Sequence, residues 1–274
     1  MQLADSIKTD ILKALQQDKL ELPVLPEMAL RTRDTAEDPD VTVAQLAKVI
    51  GDDPALSARV VRVANSPLLR GSRAIEDLTS AISRLGITFT ANLATGFAME
   101  QMFQSTSESI DALLHETWNH ATKVASLSTS LARTRTRLRP DQAMLAGLTH
   151  AIGVLPVLAW AENDDRLADD PKLLNTVIAE VHPELGAAIL RSWEFPRELL
   201  TVPLQYCRYD RANARPDYAD VVMVANLCSY IGSDHPLATF DLHTVSALAR
   251  LGFEPGTASE VLTELLRESG DTLH

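Results

Sequence analysis

The sequence predicts an all-helical fold, and three observations carry that prediction. Apolar residues recur at three- and four-residue spacings along nearly the whole chain, as helices with one buried face require. Runs of Val, Ile and Thr alternating with polar residues, which strands would need, are scarce. Helix-start signals recur, such as Asp53-Pro54 and Asp170-Pro171, where an acidic cap precedes a proline suited to the first turn. Helices joined by short loops follow.

Composition narrows the class. The 274 residues suffice for one large domain or two small ones. With 46% hydrophobic and 23% charged residues, the chain reads as a folded soluble protein. A net charge of -12 argues against nonspecific nucleic-acid binding, which needs clustered Lys and Arg, but leaves room for a small basic patch. Cys207 and Cys228 make no disulfide framework and suit a reducing cytoplasm. Residues 1–19 are polar and amphipathic without a signal-peptide core. The longest apolar run, 151–161, is too short to span a bilayer. A cytoplasmic protein without a membrane segment is expected.

Taken in order, Ile7, Ile11, Leu12 and Leu15 form one stripe and predict a helix over 5–17. Leu22-Pro23-Val24-Leu25-Pro26 breaks the pattern, because each proline disfavours helix in the residue before it. A second helix over 26–37 starts at Pro26 and ends at Asp38-Pro39-Asp40. Thr42-Val43-Ala44-Gln45 has the spacing of a capping box and opens a short helix to Ile50. Asp53-Pro54 opens a helix over 54–64, with Leu56, Val60, Val61 and Val63 inward and Arg59 and Arg62 outward; Asn65-Ser66-Pro67 stops it. Helices over 78–85, capped by Gly86, and over 88–102 follow. Polar residues 104–109 read as a loop between two lobes. Beyond it the spacing predicts a long helix over 110–135, then one starting at Pro140-Asp141 whose continuation spans 145–160. Further helices run from Asp170-Pro171 to near His182, over 183–193 and over 196–206. A polar loop at 208–216 precedes a strongly apolar, buried helix over 218–231, and helices over 242–251 and 257–267 finish the chain.

Several of these segments, in order, resemble the signatures of the HDOD domain, a bacterial relative of the HD metal-dependent phosphohydrolases. They are Leu22-Pro23-Val24-Leu25-Pro26, Asp52-Asp53-Pro54-Ala55-Leu56, Val63-Ala64-Asn65-Ser66 and Ala81-Ile82-Ser83-Arg84-Leu85-Gly86. Trp193 followed by Phe195-Pro196 matches the same family pattern, and the likeness runs from about Leu22 to about Cys207. The resemblance implies an all-α, multi-helical fold of two packed lobes: an N-terminal lobe over 1–108 and a degenerate HD-like lobe over 109–274. It also implies a signalling or regulatory role, usually without catalysis.

The HD enzymes hold a divalent metal with a histidine, a His-Asp pair and a later aspartate, and the metal activates water against a phosphoryl group. By resemblance, His120 stands at the first histidine. His150, in Gly147-Leu148-Thr149-His150-Ala151-Ile152-Gly153, stands at the pair, where Ala151 replaces the aspartate. Asn226 falls at the last aspartate, and Tyr206-Cys207 lies where HD-GYP relatives carry two adjacent histidines. Two anionic ligands are therefore missing. His182, in His182-Pro183-Glu184-Leu185-Gly186, matches a recurrent family histidine, so His120, His150 and His182 remain as a candidate three-histidine zinc site with one open position. The competing reading makes each of them a leftover, hydrogen-bonded in or beside the core. His115 points to a different helix face from His120, and His235, His243 and His274 have no role by resemblance.

Other chemistry leaves less trace. The chain has no Gly-Lys-Ser or Gly-Lys-Thr phosphate loop, no dinucleotide fingerprint and no Gly-x-Ser-x-Gly elbow. Cys207 and Cys228 are nucleophiles in principle, but the apolar surroundings of Cys228 suit an inert buried thiol. Trp118, Trp160 and Trp193 read as core anchors. Arg133, Arg135, Arg137 and Arg139 cluster near the end of the long helix, where cations favour the negative end of the dipole. Their sharper reading is a contact surface for an acidic partner or a nucleotide phosphate. The expected function is a non-catalytic regulatory module without a cofactor, binding a signalling protein or a small nucleotide. The alternative is a residual metal-dependent phosphohydrolase acting on a nucleotide or cyclic dinucleotide.

Overall fold

The computed structural model describes residues 2–168, 170–254 and 258–269, and every regular element among them is a helix. The first group comprises α1 (Gln2–Gln16), α2 (Glu27–Glu37), α3 (Val43–Gly51), α4 (Pro54–Ala64), α5 (Leu78–Leu85) and α6 (Ile87–Ala98), the last running into a 3-10 turn at Met99–Met102. Local chemistry sets these boundaries. The Thr42 hydroxyl accepts from the Gln45 amide while the Gln45 side chain accepts from the Thr42 amide, closing the expected capping box. The Asp53 carboxylate accepts the first free amides of α4 ahead of Pro54, and Asp77 does the same for α5. Gly86, at φ +87°, makes the tight junction between α5 and α6.

The second group is built on α7 (Glu108–Arg135), which packs along α8 (Pro140–Thr149) and α14 (Tyr218–Ser229). Around these lie α9 (Val154–Ala161), α10 (Asp165–Ala168), α11 (Pro171–Ser192), α12 (Arg197–Leu200), α13 (Val202–Gln205), α15 (Ser246–Arg250) and α16 (Ala258–Ser269). The helix α14 is buried along its whole length, as its unbroken apolar sequence predicts. One continuous apolar core runs through both groups. The N-terminal α1, grouped by sequence with the first lobe, packs instead on α11, with Lys8 bridged to Glu180 at 3.3 Å.

Several boundaries differ from the sequence reading: the helix expected over 88–102 becomes a 3-10 turn after Ala98, and the one expected over 242–251 is a 3-10 turn at Leu242–Thr244 followed by α15. The helix expected to run through 145–160 is interrupted by a turn at 150–153. There the backbones of α9 and α11 come together so closely that a Cβ on Gly153 would lie 2.0 Å from the His182 carbonyl oxygen. The two helices expected on either side of Pro183 are one, α11. Pro183 has no amide to give the carbonyl one turn earlier. The His182 ring packs over this break: its Nδ1–H donates to the Ile178 carbonyl at 2.8 Å and lies against that of Ala179, the one Pro183 leaves without its amide. The helix expected over 196–206 is divided at Thr201 into α12 and α13.

The stretches Pro140–Ala161 and Pro171–Ser192 are apolar and long enough, by composition, to cross a bilayer. In the fold, 89% and 50% of their most apolar windows are buried against protein, as core helices are. Trp118 is buried against Phe103, and Trp193 against Phe195. Trp160 is half-buried and packs against the edge of the core, its indole N–H on Asp164. The ring N–H of Trp193 donates to the Pro23 carbonyl at 2.9 Å, and Arg33 donates to the Trp193 carbonyl at 2.5 Å. These bonds join the two groups of helices at Trp193 and the proline-rich segment.

Candidate functional site: a cluster of histidines and tyrosines

The fold brings His120, His150 and His182 together from α7, the turn after α8, and α11. The rings of His120 and His150 lie 5.5 Å apart edge to face. His150 and His182 do not face each other directly, because the ring of Tyr206 stands between them, 5.0 Å from His150 and 5.9 Å from His182. On the other side, Tyr230 stacks on His120 at 4.9 Å, and the exposed His235 stacks on Tyr230 at 3.8 Å.

Hydrogen bonds fix the proton on most of these rings. A carbonyl oxygen only accepts, so His182 Nδ1 and His150 Nδ1 carry hydrogens, donated to Ile178 and Gly147 at 2.8 and 2.6 Å. The other nitrogen of His182, Nε2, then accepts from the Tyr206 hydroxyl at 2.8 Å. His120 Nε2 donates to the Asn226 side-chain oxygen at 2.8 Å, with the Tyr230 hydroxyl 3.4 Å away. Burial disfavours the imidazolium form and lowers the pKa of all three rings. For His150 the fall reaches about 3, with His120 adding to the effect of burial. Burial likewise raises Tyr206 well above its ordinary value and pushes Tyr230 up to about 12. At neutral pH the cluster is an uncharged network.

The donor set does not fit a divalent metal. Ala151 and Asn226 bring no charge, His182 Nε2 already accepts from Tyr206, and Tyr206 fills the space between His150 and His182. Among the described residues no group of three or more His, Cys, Asp and Glu side chains is placed to share a metal ion. Tyr206 thus has a larger role in the cluster than its place in the sequence suggested. Tyr230 and His235 were not singled out as part of it at all, since nothing local marks a stacking column.

The other candidates disperse. Arg133 reaches the Leu68 carbonyl at 3.1 Å, Arg135 lies over the Phe253 ring, Arg139 pairs with Asp141 at 2.5 Å, and Arg137 is exposed. They form no single surface, because the chain leaves the helix after Arg135 and turns. Arg59, expected to point outward, pairs with Glu100 and lies over Phe97. His115 pairs with Asp111 on the exposed face of α7, and His243 is exposed; His274 lies outside the described residues. Cys228 is buried, its thiol pushed up to about 12 by burial, and Cys207 is exposed. Sequence reasoning missed Asp220, which is fully buried near the start of α14 between Arg211 at 2.8 Å and Arg250 at 2.7 Å. A carboxylate inside so apolar a helix was the available signal.

Comparison with known proteins places the chain. It matches the HDOD domain over residues 22–206. A crystal structure from Shewanella amazonensis SB2B, described as a "Putative metal-dependent phosphohydrolase", superposes with a TM-score of 0.86 at 28% identity, covering 100% of both chains. A crystal structure from Marinobacter aquaeolei VT8, described as a "Putative signal transduction protein", superposes with a TM-score of 0.65 at 24% identity, covering 94% of this chain and 59% of that one. An uncharacterized protein of Treponema pallidum is 27% identical over 208 residues; the match takes in 70% of this chain and 39% of that relative's length. With its signature segments assembled around one all-helical core, the chain belongs to the HDOD domain family.

Proposed function

We propose that this chain is a non-catalytic HDOD module of bacterial signal transduction, working in the cytoplasm by binding a protein partner or a small ligand. The observation that carries this reading is the state of the histidine cluster. Its rings are neutral and engaged with Gly147, Ile178, Asn226 and Tyr206, and both acids that the HD resemblance calls for are absent. A divalent cation there would meet imidazoles already hydrogen-bonded and no compensating charge. The decisive experiment is metal analysis of protein purified without chelator or affinity-tag metal, with phosphate release from nucleotides and cyclic dinucleotides measured on the same sample. Substoichiometric metal and no turnover are expected.

The residual phosphohydrolase remains the second reading. It is favoured by the 28% identity to the Shewanella amazonensis structure and by His150 Nε2, which makes no hydrogen bond among the described residues. Stoichiometric metal that disappears in His150→Ala, together with phosphate release, would establish it and overturn the first.

A further inference from the structure

The loop over residues 66–75 is held from inside by the HDOD signature residues. Asn65 donates to the Ile75 carbonyl at 2.7 Å and accepts from the Ile75 amide at 2.9 Å, closing the loop at its base. Arg84 of α5 enters from one side and donates to the Ala64 and Arg73 carbonyls at 3.3 and 2.6 Å. A Cβ on Gly71 would lie 3.4 Å from its guanidinium carbon. Arg133 comes from α7, in the other group of helices, to the Leu68 carbonyl. Arg70 and Arg73 are exposed on the loop itself.

Four guanidinium groups therefore sit on or against one short loop where the two groups of helices meet. None of the four takes part in a salt bridge among the described residues, although Arg31, Arg59, Arg139 and Arg166 each pair with an acid. Acids are not scarce, with 37 Asp and Glu against 25 Lys and Arg in the chain. The nearest in sequence, Glu76 and Asp77, form no ion pair with the loop, and the Asp77 carboxylate caps α5 through the Ser80 amide at 2.8 Å. Like charges gathered without a counter-ion repel one another, and the cluster is stabilised by whatever anion covers it. Arg84 and Arg133 are fixed by their carbonyl bonds, so fewer rotamers are lost on binding, and each keeps N–H groups free for oxygen acceptors.

We propose that this arginine loop docks an acidic segment of a partner protein. A small phosphate compound would need walls, whereas Arg70, Arg73 and Arg133 all stand exposed. An open surface of forked donors on a strongly acidic chain fits the carboxylates of an extended segment instead, and the opposite charges raise its rate of encounter. Contact with Arg133 as well as Arg70 and Arg73 lets the partner hold both groups of helices at once.

The choice of a protein as occupant rests on the regulatory reading, but the binding measurement is independent of metal content and turnover, so either can fail alone. The probe is a fluorescent ten-residue peptide of Asp and Glu, followed by anisotropy against the full chain. Arg70→Gln/Arg73→Gln should weaken binding by about tenfold, as loss of two charge-assisted contacts implies. Arg191→Gln/Arg197→Gln, at exposed arginines elsewhere, should change it less than about twofold, within the scatter of surface substitutions. Raising salt from about 50 to about 200 mM should weaken binding severalfold. The inference is overturned by absence of binding at low salt or by equal loss in the control pair. It is equally overturned if pyrophosphate or a single-stranded RNA displaces the peptide at lower charge concentration, or if salt-sensitive dimers show a second copy on the loop. Unchanged melting temperatures confirm that both variants fold.

Discussion

The buried helix α14 carries two polar clusters that solve one problem in opposite ways. Near its start the carboxylate of Asp220 is enclosed by Arg211 and Arg250, while Arg211 also holds Asp217 at 2.6 Å. Farther along, Asn226 has no charge and meets the neutral His120, beyond which lie His150, Tyr206 and His182. A buried charge is tolerated when paired and hydrogen-bonded, and a buried base is tolerated when it gives up its proton. The difference teaches that this chain retains a buried carboxylate only where arginines are already in place. In the position where an HD enzyme resembling this chain would have its aspartate, the neighbours are imidazoles, and an amide suits them.

The sharpest way to break this contrast is Asp220→Ala. It leaves Arg250 without its carboxylate and Arg211 with Asp217 alone, and urea unfolding should show a loss of about 3–5 kcal/mol. A loss below about 1 kcal/mol, the scale of an exposed pair, would mean that water reaches the pair and that the two clusters are not different in kind.

Acid should expose the second cluster. A histidine whose pKa is lower folded than unfolded binds its proton more readily in the unfolded chain, so stability is full above the unfolded value and declines as pH falls through it. His120, His150 and His182 all shift this way, His150 to about 3, so stability should decline below about pH 6.5 by about 1 kcal/mol per pH unit for each ring still neutral. Urea midpoints at pH 7.5, 6.5 and 5.5 would measure it, and His150→Leu should fold and show a shallower dependence. The arginine cluster responds in the same direction but in more acidic solution: burial pushes the Asp217 carboxyl up, the bonds from Arg211 and its neighbours outweigh that and hold it below its ordinary value, and its contribution is lost only as pH falls through that lowered value.

Smaller effects sharpen the comparison further. Tyr206→Phe leaves His182 Nε2 buried without its donor and should cost about 1–3 kcal/mol. His235→Ala removes only an exposed ring from the stack on Tyr230 and should stay within about 0.5 kcal/mol in thermal or urea unfolding.

How much of this was legible in the sequence depended on distance along the chain. Thr42, Asp53 and Gly86 act on residues within one turn, and α3, α4 and α6 begin, and α5 ends, within one residue of where the sequence places them. The break at 150–153 depends on Gly153 meeting a carbonyl from α11, and no local pattern announces that. Pro183 reads as a boundary because a proline removes one backbone donor, whereas here the helix is held across it by the packing of Val181, Leu185 and Ile189 in the core. The three histidines were picked out and do assemble, but the tyrosine between two of them decides what the assembly can hold. Arg133 was grouped with its sequence neighbours, yet its partner is a loop sixty-five residues earlier.

The crossing at Gly153 also constrains how this molecule can move. Two backbones that touch with no side chain between them behave as a weld rather than a bearing. Neither α9 nor α11 can roll without the other, and His150 and His182 stand on the two chain segments that meet there. Away from that joint, the two halves of the molecule are fastened by side-chain donors instead, at Trp193, Arg33 and the proline-rich segment.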